Sequence, residues 1–358
     1  AEVLAPAIAY AEEGYAVTEI IGGDWVRGGP PHADKDEFRR VFLKGAGEPY
    51  RHGELFRNPD LAKTLRQLAE GGRDAFYEGD FARAMVKDLD RLGWPVTMED
   101  LAFQHSDWVE PISTTYKGVK LFELPPNGQG MAALEMLNIL EPFDLRTLRH
   151  NSTAYLHLLI EAKKLAFADL AAWNADPEQS RLPVETIVSK EYAKRQRARI
   201  DEAKASPGYE SGIADGASDT VYLTVVDEER NVVSFINSIF HNFGSGVVVP
   251  GTGVVLQNRG ALFTLEEGHP NQLAPRKRPY HTIIPAMAFK DGEFFMTFGA
   301  MGGAVQPQQH VQIFLNVVEF GMNAQQAVEI PRINHNNGLA VTVEPGIDES
   351  VLARLEAM

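Results

Sequence analysis

Apolar residues recur at helical spacing through the first 205 positions. Leu4, Ile8 and Ala11 form one stripe, and residues 61–68 and 82–92 carry others. Start signals stand where such stripes begin. In Asn58-Pro59-Asp60 the asparagine can cap a helix and the proline fits its first turn, where no backbone N–H is needed. The strongest helices are predicted over 131–140, behind Pro125-Pro126-Asn127-Gly128-Gln129-Gly130, and over 152–170; their Met, Leu and Ala stripes read as core. Near residue 205 the character changes. Residues 205–219 are rich in Gly, Ser, Pro and Asp and read as an exposed linker. Beyond it, β-branched and aromatic residues over 220–226 and 232–239 predict a hairpin closed by the loop 227–231. Further strands are predicted over 247–256, 282–289 and 294–298, and helical spacing returns over 307–320 and 324–329. Helices, strands and helices in that order predict a layered fold mixing α and β.

Composition narrows the function classes. At 358 residues, one large layered domain or two smaller units can bury the apolar residues. A formal charge of -15 argues against a phosphate-binding surface, so nucleic acid is not expected as a partner. No apolar run approaches the roughly 18 residues that span a bilayer, and residues 1–17 lack the basic start and apolar stretch of a signal peptide, so no membrane partner is expected. The absence of cysteine removes disulfides, thiolate metal sites and a cysteine nucleophile. A nucleophile is therefore sought among Ser, Thr and Lys. The ten histidines are scattered, and no GxSxG, Walker A or HExxH pattern occurs, so spacing supports no metal.

Two local features could carry chemistry. Thr220 opens a predicted strand directly after the linker, in Gly216-Ala217-Ser218-Asp219-Thr220-Val221-Tyr222; alone, a threonine there is an ordinary β-former. Gly299-Ala300-Met301-Gly302-Gly303-Ala304 lies between a predicted strand and a predicted helix. Backbone N–H groups can converge on a developing oxyanion at such a place, although an ordinary tight turn has the same composition.

Ordered motifs add a resemblance. Thr220-Val221-Tyr222-Leu223-Thr224-Val225-Val226-Asp227, Asn242-Phe243-Gly244-Ser245-Gly246, Lys277-Arg278-Pro279, Ile284-Pro285, Met301-Gly302-Gly303 and Phe320-Gly321-Met322-Asn323 resemble gamma-glutamyltransferases in order and spacing. So do Asp74-Ala75-Phe76-Tyr77-Glu78-Gly79, Leu137-Asn138-Ile139-Leu140-Glu141 and Ala162-Lys163-Lys164-Leu165-Ala166, and the matches cover nearly the whole chain.

The resemblance implies a four-layer αββα sandwich of the N-terminal-nucleophile hydrolase type, with a helix-rich large-subunit portion. It implies a precursor that cuts its own Asp219–Thr220 bond into a large portion, 1–219, and a small portion, 220–358. The two would stay associated as one intertwined catalytic domain. By position, Thr220 matches the nucleophile, Ser238 the hydroxyl that holds the nucleophile's amine, and Gly302 and Gly303 the oxyanion donors. Thr282 matches a hydroxyl of the donor pocket, and His281 replaces its hydroxyl neighbour. Leu262 stands where transpeptidases place an acidic residue for the donor's α-ammonium. Arg259 could attract a carboxylate instead, or simply face solvent. The reaction implied is transfer of a gamma-glutamyl or related acyl group from a small-molecule amide, through a threonine ester, to water or an amine, without a cofactor. A cephalosporin-acylase-like amidase and a non-catalytic relative are the alternatives. The resemblance also implies further segments before Ala1 and after Met358.

Overall fold

The helical stripes fold as their start signals predict. In the computed structural model, which describes residues 2–45, 47–209 and 219–358, with Asp219 described by its backbone alone, the chain forms two compact units. One comprises Ala1–Trp108 with His241–Asn258, the other Val109–Phe240 with Arg259–Met358. Residues 210–218, most of the predicted linker, lie outside the described residues.

In the first unit, Asn58 Oδ1 accepts from Leu61 N–H at 3.0 Å and caps the Pro59–Tyr77 helix, while its Nδ2 donates to the Gly253 carbonyl at 3.0 Å. One side chain thus caps the helix and ties it to the returning segment. The predicted strand over 247–256 is not formed: only an isolated bridge joins Val248 to Val255. Gly251 and Gly253, both at positive φ, fold the run back on itself, so its β-branched residues pack as a turn. Val248 joins Trp25, Phe38, Phe42 and Phe56 in this unit's core.

The second unit contains a four-stranded antiparallel sheet in the order Glu293–Phe298, Ala286–Lys290, Val119–Glu123, Ile112–Tyr116. Two hairpins build it. Each closes on a two-residue turn, Lys117-Gly118 or Asp291-Gly292, with positive φ at both central residues, the geometry that matches strand twist. The hairpin Ile112–Glu123 falls in the part of the sequence read mainly as helix and corrects that reading. Its five-residue strands are too short to show a period against the flanking helices. The strand predicted over 282–289 begins only at Ala286, because Pro285 has no N–H to donate and the residues before it bond to the 127–129 segment.

The Gly130–Leu140 helix is buried along its whole length, against the sheet and the helices Thr153–Trp173 and Gln306–Val318. Leu121, Leu134, Leu137, Leu158, Leu165 and Phe314 form the shared core. A third hairpin, Asp219–Val226 with Val232–Phe240, joins the strands predicted to pair. Tyr222 Oη bonds Thr297 Oγ1 at 3.1 Å and Ser234 Oγ donates to the Ala286 carbonyl at 3.1 Å, so this hairpin is fastened to the larger sheet. Residues on both sides of the Asp219–Thr220 bond belong to the second unit.

Candidate active site

Every site residue expected from the sequence lies in the second unit. Thr220 sits directly after an irregularity in strand pairing: Asp219 pairs with Phe240, Thr220 with Ser238, and one extra residue on the partner strand is bulged between them. Its side chain is buried, and its Oγ1 donates to Ser238 Oγ at 3.2 Å. Ser238 Oγ also accepts from Phe240 N–H at 3.0 Å, which orients the serine hydroxyl oxygen toward its own strand end. Phe240 is held at φ 80°, a strained conformation for a bulky residue, and the Arg259 guanidinium lies 5.5 Å from its ring centre.

Arg259 does not face solvent. It is 3% exposed, and its Nη1 donates to Thr282 Oγ1 at 2.9 Å, which settles one of the two sequence readings. Burial lowers its pKa to about 10, so it keeps its charge near neutrality. Next to Thr282, His281 donates its backbone N–H to the Asn127 carbonyl at 2.8 Å, and its Nδ1 accepts from Ile283 N–H at 3.3 Å. Burial, and then the positive Arg259, push the His281 pKa down to about 3. The ring is therefore neutral, with its proton on Nε2. Leu262 is half-buried against the hydrophobic core.

Gly302 and Gly303 have φ of 121° and 59°, values that glycine adopts readily, and they lead through a short 3-10 turn into the Gln306–Val318 helix. Gly299, at the start of this turn, lies under the Tyr222 ring, where an added Cβ would come within 2.3 Å of the ring. The glycine turn and the strand of Thr220 are thus in direct contact.

One functional candidate was not singled out from the sequence. Gln129, fully buried, donates through Nε2 to the Thr282 carbonyl at 2.5 Å and to the Gly303 carbonyl at 2.7 Å. It joins the Arg259–Thr282 pair to the glycine turn. Its only sequence signal was a polar residue at the mouth of an apolar helix. Among the described residues, no group of three or more His, Asp or Glu stands close enough to hold a metal ion.

Compared with protein families, residues 1–358 match Gamma-glutamyltranspeptidase. The chain belongs to this family. Among curated members, it is 38% identical over 342 residues to the glutathione hydrolase-like YwrD proenzyme of Bacillus subtilis, covering 93% of this chain and 62% of that protein. It is 37% identical over 332 residues to the oxamate amidohydrolase proenzyme of Klebsiella pneumoniae, again covering 93% and 62%. Among solved structures, the cephalosporin acylase from Bacillus halodurans aligns with a TM-score of 0.90 at 40% identity, over 99% of this chain and 65% of that one. The chain therefore spans less than two thirds of the length of these gamma-glutamyltranspeptidase-like relatives. Its mixed fold is that of the N-terminal-nucleophile hydrolases, as the resemblance implied.

Proposed function

We propose that this protein is a self-processing amide hydrolase and acyltransferase that cuts its Asp219–Thr220 bond and then uses Thr220 as nucleophile. The observation that carries this reading is the buried Thr220 hydroxyl, held by Ser238 at the first regular pair of a strand, in a family whose curated relatives are named proenzymes. In self-cleavage, Thr220 Oγ1 attacks the Asp219 carbonyl carbon, the acyl group moves from nitrogen to oxygen, and water hydrolyses the ester. The products are the portions 1–219 and 220–358, which stay together. Thr220 now carries a free α-amine, whose pKa of about 7.7–8.0 suits a general base near neutrality.

In turnover that amine takes the hydroxyl proton as Oγ1 attacks the substrate amide. The N–H groups of Gly302 and Gly303 donate hydrogen bonds to the carbonyl oxygen as negative charge develops on it, each contributing about 3 kcal/mol to transition-state stabilisation. Collapse expels the amine, which takes the proton, and leaves an acyl ester on Thr220 for water or a second amine. Arg259 attracts a carboxylate of the acyl group. Thr282 and the neutral His281 line the same pocket.

A gamma-glutamyl amide fits this arrangement. A second reading, a cephalosporin-acylase-like amidase whose acyl group carries no α-ammonium, is favoured by the apolar Leu262. Gamma-glutamyl-p-nitroanilide and glutaryl-p-nitroanilide differ only in that ammonium and separate the two. Faster release from the first supports a gamma-glutamyl donor; release from the second alone overturns it. The mechanism itself is tested by intact mass and amino-terminal sequencing of protein from the full-length gene. A fragment beginning Thr220-Val221-Tyr222 is expected, and a single uncut chain points instead to a non-catalytic relative.

A further inference from the structure

Glycine turns do not hold themselves. With no side chain at Gly302 or Gly303, the direction of their N–H groups has to be set by what grips the neighbouring carbonyls. The Gly302 carbonyl accepts from Val305 N–H at 3.1 Å, which fixes the peptide that carries the Gly303 N–H. The Gly303 carbonyl, on the peptide that carries the Ala304 N–H, accepts from Gln306 N–H inside the turn and from Gln129 outside it, so Gln129 anchors the exit of the turn.

We infer that Gln129 is a positioning residue that sets the oxyanion turn against the acyl pocket, an inference that rests on the function proposed above. Its amide is fully committed. One Nε2 hydrogen serves the Gly303 carbonyl, the other serves the Thr282 carbonyl, and Oε1 accepts from Tyr280 Oη at 2.5 Å. Two carbonyls require the nitrogen on their side and a hydroxyl donor requires the oxygen on its side, so the partners fix the amide orientation. The platform beneath is equally constrained. Asn127 Nδ2 donates to the Pro279 carbonyl at 2.6 Å, and the Asn127 carbonyl accepts from His281 N–H and, at 3.0 Å, from Asn174 Nδ2. Gly130 presses on Glu123 and Leu124, where a Cβ would come within 2.6 Å of both. Gln129 thus couples the turn that carries the oxyanion donors to the residue that Arg259 holds.

The test is Gln129→Glu in protein from the full-length gene. At high pH the substituted carboxylate faces two carbonyl oxygens and donates nothing; protonated, it regains one donor. Burial favours the protonated form. The groups around it are Tyr280, the neutral His281, Arg259 through Thr282, and the Glu123–His310 pair beneath Gly130. Relative to wild type, kcat on the two p-nitroanilides is expected to fall roughly a hundredfold at high pH, with a much smaller change in KM. The ratio should recover as pH falls toward 6. Gln129→Leu should be low at every pH. Tyr280→Phe, which removes only the hydroxyl that orients the amide, should fold and give a milder kcat loss. If neither substrate is turned over, the half-time of self-cleavage serves as the readout for the same variants.

A Gln129→Glu to wild-type ratio that does not change with pH, or a KM that rises as much as kcat falls, overturns the positioning role. Thr220→Ala separates the two ideas. If wild type is never cut, or Thr220→Ala is cut and active, the nucleophile reading fails and takes this inference with it. If wild type is cut and active while Gln129→Glu matches it, the clamp alone is wrong.

Discussion

Two buried polar clusters in the second unit carry histidine, and they are built to opposite rules. In the core, His310 Nδ1 bonds Glu123 Oε1 at 2.7 Å, both side chains fully buried, with the Phe298 ring 5.0 Å from the imidazole. In the candidate site, a threonine, a serine, a second threonine and an arginine stand among backbone groups, and His281 is held neutral. Judged by residue type, the Glu–His pair is the obvious general base. Judged by burial, it is packing: among the described residues, the hydrogen-bond partner of each group is the other, inside closed core. On the function proposed above, acid–base chemistry near Thr220 falls to a new amino terminus, with the glycine N–H groups acting as hydrogen-bond donors.

The sharpest way to break the comparison is Thr220→Ala. Both self-cleavage and turnover should be abolished, whereas Thr220→Ser should keep some of each because the hydroxyl remains. Mass spectrometry and release of p-nitroaniline read the two outcomes. Normal processing of the alanine variant would remove Thr220 from the mechanism and reopen the search for a side-chain base.

Next in size is the core pair. His310→Ala leaves Glu123 buried without its hydrogen-bond partner, and should cost about 1–3 kcal/mol of stability in urea unfolding. Protein that folds should still be cut at Asp219–Thr220. Loss of processing without loss of stability would show that the core pair takes part in the chemistry, and the two clusters could no longer be assigned separate roles.

The sequence exposed these two regions unequally. Ordered motifs mark Thr220 and the glycine turn, the resemblance matches Ser238 by position, and the structure pairs Thr220 with Ser238 across the hairpin that the alternation predicts. The helices Gly130–Leu140 and Thr153–Trp173 were legible from apolar spacing, and the Ser152 side chain caps the second in the structure. The hairpin Ile112–Glu123 was not, since five residues carry too little period. Nor was Gln129, because its partners lie about 150 and 170 positions away, and nothing local distinguishes such an amide from an exposed helix start. Arg259 showed the same limit: its charge was visible, but its burial depends on Thr282 and Phe240, residues brought to it only by folding.

The smallest effect separates the clusters by pH. His281 keeps a pKa near 3 in the fold against an ordinary 6.5, so as pH falls through 6.5 the unfolded chain takes up a proton that the folded chain refuses. Its contribution to stability is therefore full above pH 6.5 and lost progressively toward pH 3. Glu123 has the opposite sign. Burial raises its pKa, so the fold holds a proton that the unfolded carboxyl releases above 4.5, and stability is lost as pH rises past that value. His281→Asn should thus lessen the drop in urea midpoint between pH 7 and pH 4, leaving the share of His335, which burial lowers to about 4. Glu123→Gln should leave that acid-side loss from histidine in place. An acid limb equally steep with and without His281 would mean that its ring takes up a proton in the folded state. The pocket would then admit water and a second positive charge beside Arg259, and a neutral, preset donor could no longer be part of acyl recognition.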